Sequence, residues 1–165
     1  MKIAPQARPI KSARPASKRT RANEPRVTAR SLPIALLRAR ETIMARFRPL
    51  VNDAGFTDQQ WRVMRVLDEE SPLDPTEIAE RASILMPSLS RILRNLELNG
   101  FVERMTNPDD KRGFHMSITS SAKERLSRFV PRSNAIYEKL EKQYGRDRMT
   151  ELLDLLEDLA DLRDQ

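Results

Sequence analysis

The chain is 165 residues long, a size that suits one domain with a tail, and its 39% hydrophobic and 33% charged content allows a modest core beneath much exposed helix. Cysteine is absent and histidine occurs once, which excludes disulfides, thiolate chemistry and Cys- or His-rich metal sites, and places any Ser-His-Asp triad or other enzyme chemistry out of reach. No apolar run approaches the roughly 18 residues of a membrane span, the basic N-terminus lacks the apolar stretch of a secretory signal, and a cytoplasmic, nucleoid-associated location is expected.

The net charge of +6 is unevenly placed. Residues 1–30 hold nine Lys/Arg against the single acid Glu24, while the other 135 residues hold 21 basic and 23 acidic side chains. With four prolines and almost no large apolar side chains, residues 1–30 cannot bury enough surface to offset the entropy of ordering. They are expected to be a disordered basic arm, and the natural partner of a flexible polycation is nucleic acid. A solubilising or transit-like leader is the plain alternative.

From Leu32, the positions Leu32, Leu36, Ala39, Ile43, Phe47 and Leu50 advance by threes and fours, which predicts a helix of about five turns ending at Asn52–Gly55. Ile34, Leu37, Met44 and Val51 widen its apolar stripe beyond what one neighbour needs, as in a helix that also meets a second subunit. Thr57 with Gln60 forms a capping box, Phe56 can staple onto Trp61, and Met64, Val66 and Leu67 continue a short helix to about Glu69. Ser71-Pro72 breaks the chain. Asp74 then caps a two-turn helix with Pro75 at its first position, Glu77 at its third and Leu73 stapled onto Ile78.

The next helix, PSLSRILRNLELNG at 87–100, is expected to start at Pro87 behind Met86 and to stop at Gly100. At 100° per residue Leu89, Ile92, Leu93 and Leu96 make its inner face. Arg91, Arg94 and Asn95 lie opposite, with Ser88 and Ser90 on the shoulders. Guanidinium, amide and hydroxyl groups of one sign are what base edges and phosphates accept. Met86 offers no side-chain cap, so a DNA phosphate is the expected partner of the free amides there.

Residues 101–105 (FVERM) and 114–118 (FHMSI) share a two-residue rhythm around a charged tip, NPDDKRG, and predict a ribbon. Because the ribbon follows the outward-facing helix directly, Arg112 can enter the adjacent narrow groove, with Asp110 supporting it and Lys111 adding phosphate attraction. The ribbon gives way at Thr119 to a long helix that Pro131 should kink or split and Gly145 should end. A last helix over about 148–162 carries Met149, Leu152, Leu153, Leu156, Leu159 and Leu162.

Two short helices, a tight turn and a ribbon make a winged helix-turn-helix. The segments PSLSRILRNLELNGFVER and NPDDKRGFHMSIT, with Asp110-x-Arg112 and Ile118-Thr119, resemble the MarR family of regulators over about 31–160. LLRARETIMARFRP, QQWRVMRVL and ILMPSLSRIL further resemble the homoprotocatechuate-operon repressors within it, which govern breakdown of aromatic acids. The resemblance implies a mainly α (α+β) fold, with a winged helix-turn-helix at 57–118 and dimerisation helices at 31–54 and 119–165. It also implies a homodimer on a pseudo-palindromic operator with half-sites about one DNA turn apart. Family DNA contacts carry over to Ser88, Ser90, Arg91, Arg94 and Arg112, with Asn95 and Lys111 added and Asp110 as wing support. Ala122 stands where the family often has glycine, and Pro131 is unusual.

Such regulators sense small ligands between the dimer helices and the DNA-binding lobe. Arg38, Arg40, Met44, Phe47 and Trp61 are the candidates, the arginines to pair with a carboxylate and the rings as walls; an aromatic acid is the expected effector. No cofactor is expected. The rival reading is a helical adaptor or a DNA-coating protein without sequence preference.

Overall fold

The computed structural model describes Thr28, residues 31–106 and residues 113–162. The expected arm and the wing tip with Asp110, Lys111 and Arg112 lie outside the described residues. The chain comprises two compact units, Met1–Arg38 and Ala39–Gln165. Helix α1 (Leu32–Asp53) begins in the first and continues into the second, and every contact described below is internal to the second. After it come α2 (Asp58–Glu69), α3 (Pro75–Ala82), α4 (Met86–Leu98), strands β1 (Val102–Thr106) and β2 (Phe114–Ile118), then α5 (Ser120–Ser127), α6 (Val130–Tyr144) and α7 (Arg146–Ala160). This is a mainly helical fold with a small antiparallel ribbon, the winged-helix architecture.

The local signals act as expected. Thr57 and Gln60 form both halves of a capping box on α2, as do Asp74 and Glu77 on α3. The Asp74 carboxylate accepts from the amides of Thr76 at 2.6 Å and Glu77 at 3.1 Å. Those bonds, that from Glu77 foremost, hold its pKa below the ordinary value against the opposing effect of burial. Leu73 and Ile78 are both buried at the staple positions. The helices close around Met64, Leu67, Ile78, Leu89 and Leu96, all essentially inaccessible to solvent.

Four details differ from the sequence expectations. α1 starts and ends where expected, but its 22 residues make about six turns rather than five, and it passes through Pro49. Proline removes a donor there, and the buried side chains of Leu50 and Val51 just beyond it keep the helix going. The N-cap of α4 is Leu85 rather than Met86, so Met86 and Pro87 are its first two residues. The ribbon pairs Val102 with Ile118, Arg104 with Met116 and Met105 with His115. Only Val102 of β1 is buried, so its inward face is Val102-Arg104-Thr106, and Met105 points out beside His115. β1 thus lies one residue later than the expected 101–105. Finally, α7 starts two residues earlier than expected and ends before Leu162, which stands exposed beyond it.

Pro131 splits the expected long helix, with α5 ending at Ser127 and Pro131 in the first turn of α6, where a missing N–H costs nothing. The Thr119 hydroxyl accepts from the Ala122 amide and donates to the Gly100 carbonyl at 2.9 Å, so the departure at Ala122 leaves the cap of α5 intact. The base of the wing is also tied to the loop before α3. Leu73 and Met116 exchange both backbone hydrogen bonds, at 3.1 and 2.8 Å, which fixes the ribbon against the helix-turn-helix.

Candidate DNA-binding face and ligand cleft

α4 buries Leu89, Leu93 and Leu96 and turns Ser90, Arg91, Arg94 and Asn95 outward, with Ser88 half-buried on the shoulder. Neither Arg91 nor Arg94 is bonded to any described residue. Ser90 donates to the Met86 carbonyl at 3.0 Å, which leaves its oxygen free to accept. Asn95 is partly committed, since its carboxamide oxygen accepts from Gln60 at 2.7 Å and so ties α2 to α4. At the helix tip Leu85 gives no side-chain cap, Pro87 has no N–H, and the Ser88 amide already donates to the Leu85 carbonyl at 2.9 Å. The tip therefore presents less than a full turn of free amides.

Sequence reasoning passed over Arg104. Its guanidinium carbon lies 3.9 Å from the centre of the Phe114 ring, and its Nε lies 3.7 Å from Glu97 on α4. It clamps the inward face of the ribbon to α4, and its place opposite Met116 on that face emerges only from the register of the two strands.

Between α1, α2, α3 and α6 lies a cleft of about 470 Å³. Of the predicted ligand residues, Arg40, Met44, Phe47 and Trp61 line it; Arg38 belongs to the first compact unit. The missed residues include Asp58, Arg62, Arg65, Glu69 and Tyr137. Phe47 and Tyr137 stack at an angle, 5.2 Å between ring centres, and Trp61 meets Phe129 edge-on at 6.4 Å. Tyr137 is distant in sequence and gave no signal. Asp58, Arg62, Arg65 and Glu69, however, step along α2 by threes and fours, a polar stripe that the sequence does display beside Trp61.

The cationic side of the cleft is held in place. Arg65 donates to Asp68 at 2.9 Å and Glu69 at 3.4 Å, Arg81 to Glu70 at 2.7 Å, and Arg40 to Glu41 at 2.8 Å. Arg48 also bonds Glu41, which raises its own pKa and lowers that of the carboxylate. An aromatic floor with several oriented guanidiniums is suited to a planar anion of small size. Among the described residues no group of His, Cys, Asp and Glu is placed to hold a metal ion, and no helix is long and apolar enough to cross a membrane.

Comparison with known proteins agrees with this geometry. The MarR family model matches residues 56–114. The chain is 40% identical over 134 residues to the HTH-type transcriptional regulator FarR of Neisseria gonorrhoeae, covering 81% of this chain and 92% of that protein. It is 39% identical over 132 residues to the homoprotocatechuate degradative operon repressor of Escherichia coli, covering 80% and 89%. The crystal structure of NadR in complex with 4-hydroxyphenylacetate superposes with a TM-score of 0.75 at 36% identity, over 88% of this chain and all of that one. Fold, outward-facing helix and relatives converge, and the chain belongs to the MarR family of winged-helix transcriptional regulators.

Proposed function

We propose that the protein is a repressor that binds a pseudo-palindromic operator as a homodimer and releases it when an aromatic acid enters the cleft. The observation that carries the DNA reading is the outer face of α4, where Arg91 and Arg94 stand exposed and unbonded to any described residue above the buried Leu89, Leu93 and Leu96. Ser88, Ser90 and Asn95 flank them, and Arg112, with Lys111 and Asp110 beside it in sequence, is assigned to the neighbouring groove. Residues 1–30 add phosphate attraction through their excess of basic side chains. Deleting them should flatten the salt dependence of binding by about 0.9 per lost phosphate contact.

The dimer reading is supported by α7, which buries none of its residues and exposes Leu152, Leu153, Leu155 and Leu156. Four leucines on one helix are seldom left to water. The effector reading is supported by the cleft's rings and arginines, Arg40 and Arg65 taking the carboxylate and Met44, Phe47, Trp61 and Tyr137 the ring, and by the 4-hydroxyphenylacetate bound to NadR.

The test is competition binding on the DNA upstream of the chain's own gene, with sedimentation equilibrium on the same sample. The expected result is a dimer that holds this DNA against a large excess of random duplex and lets go on addition of 4-hydroxyphenylacetate. Equal displacement by random duplex would instead make the protein a coating factor.

A further inference from the structure

Arg62 lines the cleft, but it is held differently from the other arginines there. Its Nη1 donates to the carbonyl oxygens of Ala82 at 2.6 Å and Ser83 at 3.1 Å, twenty residues along the chain. Those carbonyls end α3 and form the turn that leads into α4. The turn rests on an unusual residue, since Ser83 has a φ of 50°, the left-handed conformation that side chains adopt reluctantly and that persists only where the surroundings hold it. The Ser83 amide donates back to the end of α3, and the Ile84 amide to the Ala79 carbonyl at 2.9 Å. Arg62 holds the same turn from the α2 side, a cation at the negative end of the α3 dipole.

Arg62 also has bonding capacity left over. Its Nε is the one buried side-chain nitrogen or oxygen among the described residues that has no hydrogen-bond partner. Burial first, and then the like charge of Arg40, make its guanidinium a poorer home for positive charge than usual, with Asp58 opposing them. Such a group is short of an anion.

We propose that Arg62 is the positioning residue that couples the cleft to α4. A carboxylate in the cleft draws the guanidinium, with its Nη1, away from the Ala82 and Ser83 carbonyls, the α3–α4 turn loosens, and α4 no longer presents Arg91 and Arg94 in one orientation. A charge-assisted pair with a carboxylate is stronger than hydrogen bonds to neutral carbonyls, which gives the exchange its direction. Because DNA selects the tied turn and the acid selects the released one, each weakens the other by the same factor. This inference rests on the cleft being the effector site.

The test uses the full chain as wild type, Arg62→Lys and Arg62→Met, with 4-hydroxyphenylacetate and its neutral analogue 4-hydroxyphenylacetamide. Trp61 fluorescence reports ligand binding, anisotropy of the upstream DNA reports the operator, and hydrogen exchange reports the Ile84 amide. In the wild type the acid should weaken DNA binding by about 5–150-fold and speed exchange at Ile84, while the bound amide does neither. Arg62→Met should bind DNA about as weakly as the acid-saturated wild type and, with the acid still bound, change by less than about twofold. Arg62→Lys keeps the charge but not the fork and should behave like Arg62→Met.

Retention of the full acid response in either variant overturns the relay while leaving the effector site standing, and so does an Ile84 amide whose exchange ignores the acid in the wild type, a measurement that needs no variant. A wild type that fails to bind the acid overturns both.

Discussion

The arginines of α4 and those of the cleft make opposite use of the same side chain. Arg91 and Arg94 stand in solvent, bonded to no described residue. Arg40, Arg65 and Arg81 are each braced by a carboxylate, and Arg62 by two carbonyls. A long free guanidinium keeps its rotamer entropy and waits for a polyanion whose phosphates and base edges are many and spread out. A braced one has its geometry set beforehand, which suits a single small anion that must be met at one place. On the proposed function, the braced set has bonds to lose when an anion arrives, which is how the cleft would act on α4. On that reading one region serves capture and the other exchange.

The comparison can be broken most forcefully at α4. Replacing Arg91 and Arg94 together with alanine should cost about 2–6 kcal/mol of operator binding, at 1–3 per arginine, with an unchanged melting temperature. A loss of less than about threefold in anisotropy titrations would mean that the free arginines are plain surface. On the cleft side, Arg65→Met should cost the aromatic acid about 1.5–3 kcal/mol, the value of a hydrogen bond to a charged group, and leave operator binding without ligand intact. Isothermal titration with 4-hydroxyphenylacetate measures it.

Smaller effects separate folding from binding. Asp74→Ala should destabilise the protein by about 1 kcal/mol through loss of the α3 cap, read from chemical denaturation. Because the folded state lowers the pKa of Asp74, its contribution is present above the ordinary value of 3.8 and is lost as pH falls through the folded value. Asp74→Asn, which caps without ionising, should flatten that acid limb of the stability curve. Leu85→Asp supplies the missing cap of α4 and should raise stability by up to about 1 kcal/mol while weakening operator binding, since it places an anion where a phosphate is expected. A gain in both would place the tip of α4 away from DNA.

Much of the fold was legible because it is written in local chemistry. Thr57 with Gln60, Asp74 with Glu77, Gly100 with its φ of 71° and Pro131 act within one helical turn of themselves, and the structure places the boundaries beside them. The outer face of α4 was legible for the same reason, since one helix and its period determine it. The strand phase of β1 was not, because five residues with a lone outward methionine carry too little contrast between faces. The cleft was legible along α1, at Trp61 and in the polar stripe of α2. Tyr137 reaches Phe47 across 90 positions, and Arg62 finds the Ala82 and Ser83 carbonyls only once α2 and α3 have packed. No periodicity announces a bond that tertiary structure makes.

The most direct measurement is dimethyl sulfate protection of the DNA upstream of the chain's own gene, because it reads guanine N7 on the floor of the major groove. Protection should appear at two sites about one helical turn apart and vanish when Arg91 and Arg94 are replaced. Protection spread evenly along the duplex, or undiminished in that variant, would contradict the assignment of α4 as the helix that reads DNA.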